Sequence, residues 1–99
     1  MEKQVVREEL IQTKVRRPKQ YKVIMYNDDY TTMEFVIDIL VKLFKKNVLQ
    51  AEQIMTDVHK QGQGVAGIYP YDLATTKAQT AMMWAREEGF PFKLTVEEA

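Results

Sequence analysis

The chain has 99 residues, fourteen basic and fourteen acidic side chains, no Cys and a hydrophobic fraction of 45%. That length and apolar content suit one folded domain with a single modest core, and the missing Cys excludes disulfide scaffolding, thiol catalysis and thiolate metal sites. Residues 1–20 carry six Lys/Arg against three Glu and the rest eight against eleven, so neither part has the dense basic patch of a nucleic-acid binder.

The opening MEKQVVREEL mixes both charge signs and lacks an apolar h-region, so it does not read as a secretory signal. No run reaches the roughly 18 apolar residues of a membrane span, and a reducing cytoplasm fits. Residues 1–20 read as a tail in which Val5, Val6, Leu10 and Ile11 could share one helical face before Pro18 interrupts it. The cluster Val15 to Lys19, VRRPK, is read as a solvated linker.

Tyr21 to Tyr26, YKVIMY, is a β-rich run of strand length, broken by NDDY. Thr31 and Glu34 then match a T-x-x-E capping box. Behind it Met33, Val36, Ile37, Leu40, Val41 and Phe44 recur at helical spacing, widened by Phe35 and Ile39, and Lys45, Lys46 and Asn47 close the helix. A second helix is predicted from about Leu49 to Gln61 on the stripe Ala51, Ile54, Met55, Val58, with Gly62 as its stop. Gly64 to Tyr71 reads as a short strand ended by Pro70. The third helix, about Tyr71 to Glu88, has an Ala-rich stripe with Leu73 and Met82, and Gly89 and Pro91 end it. Phe92 to Val96 alternates like a half-buried strand. The order β-α-α-β-α-β predicts a two-layer α+β domain over residues 21–99; whether its strands run parallel or antiparallel is not fixed by pattern.

The chemistry centres on YNDDYTTMEF. Asp28 and Asp29 could share a raised pKa, but adjacent Asp residues are also common turn formers. Asn27, Asp28, Asp29 and His59 offer hard ligands without any metal-site spacing. His59, the only His, sits near a helix C-terminus, where its cation suits the dipole or its imidazole serves as a tunable hydrogen-bond partner. The short link between the first two helices makes them antiparallel neighbours. That brings Asn27, Asp28 and His59 around a patch of Met33, Val36, Met55 and Val58, an apolar hole with polar acceptors at its rim.

The strings YKVIMYNDDYTTMEFVIDIL, MTDVHKQG and YDLATTKA closely resemble the ClpS family, adaptors that deliver N-degron proteins to the ClpA–ClpP protease, over roughly residues 18–99. The resemblance implies a three-stranded antiparallel sheet against three helices, similar to the C-terminal domain of the ribosomal stalk protein. It implies a non-enzymatic adaptor that binds a free N-terminal Leu, Phe, Tyr or Trp. On that basis Asn27, Asp28, Asp29 and His59 should hold the substrate's α-ammonium, and Thr31, Met33, Val36, Met55, Val58 and Phe92 should form the side-chain pocket. Asp72 and Lys77 match positions that touch the N-terminal domain of the ClpA-type ATPase, and residues 1–20 match the extension used in handover. No cofactor, metal, nucleic acid or membrane is implied, and a cytoplasmic monomer is expected. Three positions depart from the family pattern: Thr32 where many relatives have Pro, Phe92 where Leu is common, and Thr75 where some carry an acid. The alternative is a stalk-like interaction domain with no preference for an N-terminal residue.

Overall fold

The computed structural model describes residues 18–99. Six elements follow in the order β1 (Gln20–Tyr26), α1 (Met33–Lys42), α2 (Val48–Gln61), β2 (Gln63–Pro70), α3 (Tyr71–Glu87) and β3 (Leu94–Glu98). The handover role and the apolar face expected for Val5, Val6, Leu10 and Ile11 lie outside the described residues. None of the described helices is long and apolar enough to cross a membrane.

The sheet order is β2-β1-β3 and both pairings are antiparallel. The first strand is therefore central, which explains its sequence: Val23, Ile24 and Met25 are buried in succession, Val23 and Met25 in the core cluster and Ile24 outside it between its neighbour strands. On β2 the register slips once. Val23 faces Gly67 and Ile24 faces Val65, so Ala66 is an extra, fully buried residue, a bulge that bends this edge strand. Between β1 and β3 the pairs Lys22–Glu97 (3.4 Å) and Tyr26 Oη–Thr95 Oγ1 (2.9 Å) accompany the ladder.

Three helix faces complete the core. In α3, Ala74, Ala78, Ala81 and Ala85 are all buried, and their small side chains let that helix lie close on the sheet. Leu73, expected in this stripe, is 52% exposed, one residue off the buried face. Gly89 ends α3 with φ 79°, and the bonds Gly89 N–Arg86 O (3.0 Å) and Phe90 N–Ala85 O (2.8 Å) form a Schellman closure.

Three boundaries differ from expectation. The first helix stops at Lys42, before Phe44: Lys45 takes φ 58° and Lys46 N bonds back to Leu40 O at 3.0 Å, while Phe44 still reaches the core from the turn. Asn47, read as the end of α1, instead opens α2. Its side chain accepts from Gln50 N (2.8 Å) and Gln50 Oε1 accepts from Asn47 N (3.1 Å), a reciprocal capping box. And β3 begins at Leu94 rather than Phe92, because Phe92 enters the core before the strand starts.

Candidate ligand-binding site

The loop between β1 and α1 is fixed at both ends by backbone chemistry. Asn27 N–H donates to Gly62 O at 2.9 Å. Gly62 is the left-handed C-cap of α2, with φ 86°, so this bond joins the end of β1 to the end of α2. The last turn of α2 carries His59 and Lys60, and His59 thereby comes to the NDD segment.

Asp28 organises the loop. Its Oδ1 accepts from Tyr30 N (2.8 Å) and Thr31 N (2.6 Å), and its Oδ2 accepts from the Thr31 hydroxyl (2.7 Å). This is an Asx turn with an added hydroxyl. Burial pushes the Asp28 carboxyl up, but the Thr31 hydroxyl and the Thr31 and Tyr30 N–H groups together outweigh it and hold the group below its ordinary 3.8.

The same bonds overturn the expected capping box. Thr31 is held by Asp28, and the N-cap is Thr32, whose hydroxyl accepts from Phe35 N at 3.2 Å. Thr32, which departs from the Pro of many relatives, therefore has a role of its own as the cap of α1.

Asn27, Asp28, Asp29, Thr31, Met33, Val36, Met55, Val58 and His59 together line a cavity of about 280 Å³. Val36 and Val58 are buried and form its floor, Met55 is half-buried, and Asn27, Asp29 and His59 are exposed at the rim. Met33, the first residue of α1, is 52% exposed. Among the described residues, the side chains of Asn27, Asp29 and His59 make no hydrogen bond or ion pair. The cavity thus pairs an anionic, acceptor-rich rim with an apolar floor. A small amphiphile with a cation next to an apolar group matches both parts. No group of three or more His, Cys, Asp and Glu is placed to hold a metal ion among the described residues.

Phe92 is the exception among the expected pocket residues. It is absent from the lining and only 5% exposed, and its ring meets Phe35 edge-on at 6.2 Å. The expectation that it forms part of the side-chain pocket is corrected: the side chain is taken up by the core. Asp72 is exposed in the first turn of α3, beside exposed Tyr71 and Leu73. Lys77 points inward: its Nζ donates to Leu43 O at 2.8 Å, at the end of α1, and lies 5.2 Å from the Tyr69 ring centre. Two contributions go beyond the sequence reading: the Thr32 cap and the bond to the Gly62 carbonyl. Both could have been sought from general rules, since a Thr pair offers two cap registers and a helix-ending Gly presents its carbonyl.

Residues 16–95 match the family model described as ATP-dependent Clp protease adaptor protein ClpS. A protein of Lawsonia intracellularis, described as ATP-dependent Clp protease adapter protein ClpS, is 55% identical over 89 residues, covering 90% of this chain and 82% of its own. A protein of the same description from Clostridium acetobutylicum is 54% identical over 85 residues, covering 86% of this chain and 84% of its own. Among solved structures, Agrobacterium tumefaciens ClpS2 bound to L-phenylalaninamide superposes with a TM-score of 0.80 at 38% identity, covering 84% of this chain and 100% of that one.

Proposed function

The chain belongs to the ClpS family of Clp protease adaptors, and from that premise we propose that its cavity receives the free N-terminal residue of proteins marked for degradation. It is an adaptor and not an enzyme. The finer reading is that it selects N-terminal Leu, Phe, Tyr and Trp and delivers their owners, as a cytoplasmic monomer, to a ClpA-type ATPase and its ClpP protease.

The observation that carries this reading is the cavity that joins Asn27, Asp28, Asp29 and His59 at its rim to an apolar floor of Val36 and Val58. An α-ammonium has three donors and a positive charge, whereas an internal peptide N–H has one donor and no charge. A rim of acceptors therefore separates a chain end from a chain interior. Of the roughly four acceptor directions of a carboxylate, Asp28 uses three on Tyr30 and Thr31. It contributes its charge and its one open direction, while Asn27, Asp29 and His59 supply the remaining acceptors. Burying a Leu or Phe side chain over Val36, Met55 and Val58 contributes about 1.5–3 kcal/mol, and Met33 and Met55 adapt to aliphatic and aromatic guests alike. The ligand of the Agrobacterium tumefaciens structure supports the reading, since L-phenylalaninamide carries a free α-amine next to an apolar ring.

Delivery requires a second surface. Asp72, with exposed Tyr71 and Leu73, offers one to the ATPase domain at the start of α3. Lys77 reaches a partner only by exchanging its bond to Leu43 O. A panel of free-amine peptides that differ only at position one tests the proposal. Leu, Phe, Tyr and Trp peptides should bind at micromolar Kd or tighter and Ser, Asp and Lys peptides far more weakly. Equal binding across the panel would favour the stalk-like interaction domain.

A further inference from the structure

We propose that Gly64 sets the size limit of the pocket: because it has no side chain, α2 sits back against β2, and a methyl group there would press Val58 into the cavity. This rests on reading the cavity as the site of an N-terminal side chain.

Gly64 lies on β2 opposite Met25 of the central strand and does not line the cavity. Its backbone is not left-handed, as Gly62 and Gly89 are, so conformation alone does not call for glycine. Space does. A Cβ at position 64 would stand 2.9 Å from Val58 Cγ2, 3.3 Å from Ile54 O and 3.5 Å from Val58 N. The first contact forces a shift.

Val58 cannot turn away cheaply. It is β-branched and helical, with one strongly preferred χ1, and it is 4% exposed. Of the next two contacts, both helix backbone, Ile54 O is tight and Val58 N is ordinary, so the Val58 methyl is the group that has to give way, and it carries its turn of α2 away from β2. Val58, Met55 and His59 form this helix's share of the cavity wall, and the Asn27–Gly62 bond ties its C-terminal end to the loop opposite. Displacement therefore takes room from the cavity. At about 280 Å³ the space is at the small end for a ligand site, so the largest guest, an indole, loses first and Leu last.

The test compares the full chain with Gly64→Ala, using free-amine peptides that differ only in Leu or Trp at position one. The Trp-over-Leu affinity ratio should fall about tenfold while Leu binding stays within about threefold, the scale of one methylene in an apolar pocket. In a Val58→Ala background the same Gly64→Ala change should alter the ratio less than about twofold, because the clashing methyl is gone. An unchanged ratio in folded Gly64→Ala overturns the proposal, as does an equal loss in both backgrounds. Should Gly64→Ala alone fail to fold, recovery of the fold in the double variant supports the contact and an unfolded double variant overturns it. If the parent chain shows no preference for its ligand's first residue, the reading of the pocket fails, and that result is separate from these.

Discussion

Asp28 accepts three hydrogen bonds before any ligand arrives, so its first task is to shape the loop that presents its neighbours. Its carboxyl is held below 3.8 in the folded protein. The charged form therefore contributes stability that is complete above that ordinary value and is lost as pH falls below it, through the folded value. Thr31→Val removes the hydroxyl bond. We expect Asp28 to titrate at a higher pH in this variant, read by carboxyl NMR, and stability at neutral pH to fall by about 1 kcal/mol. An unmoved titration would show that the two backbone donors suffice. Asp29 and Asn27 differ: each is exposed at the rim with no side-chain partner among the described residues. Replacing Asp29 with Asn should leave the melting temperature within a degree or two and weaken peptide binding about three- to tenfold, the scale of a charge-assisted bond in partial solvent. Undiminished affinity would remove Asp29 from the amine site.

At the scale of elements, the end of α1 is the least economical part of the fold. Lys45 is exposed and holds φ 58°, a conformation that glycine adopts without steric cost. Lys45→Gly should raise stability by up to about 1 kcal/mol in urea denaturation. Lys77 supports the same helix end from α3 through Leu43 O and the Tyr69 face. Lys77→Met keeps most of the stem but loses the charge, and should cost about 1–2 kcal/mol. If Lys77→Met is neutral to stability, the ammonium is available to a partner without cost. These elements also show what a sequence can disclose. Gly62 and Gly89 marked helix ends correctly, because a left-handed residue after a periodic stretch has few alternatives. The Thr31–Thr32 pair could not be resolved in the same way: both can cap, and the choice falls to Thr32 only because Asp28 engages Thr31. The bulge at Ala66 was equally hidden, since register depends on the partner strand. Phe92 and Lys77 are of the same kind. The resemblance implies a pocket wall at Phe92 and a partner contact at Lys77, and tertiary packing turns both side chains inward.

For the whole molecule, the central position of β1 links the two tasks. Its C-terminal end, Tyr26, leads directly into the rim of the cavity, while its N-terminal end, Gln20, pairs with Pro70 at the start of α3, beside Asp72. The cavity proposed to hold the amine and the proposed ATPase surface thus lie at opposite ends of one strand, which leaves room for substrate and ATPase to be held together. Residues 1–17 precede that second end. Their deletion should leave peptide affinity within about twofold, because the described lining of the cavity runs from Asn27 to His59, yet it should slow degradation of an N-degron substrate by the protease. Undiminished degradation would remove handover from their role. Across the site as a whole, nine of the ten residues expected for the amine and side-chain subsites line one cavity. Their gathering was legible because the short link between α1 and α2 makes the helices antiparallel, and because Met and Val fall on helical spacing beside the polar loop.

The central claim is that the rim recognises an α-ammonium. The most direct measurement is the affinity of one Phe-initiated peptide with its N-terminus free and then acetylated, by fluorescence polarisation at neutral pH. Acetylation keeps the ring and removes the charge and two of the three donors. The account predicts at least a hundredfold loss, the scale of leaving buried polar groups without their partners; equal affinities would contradict it.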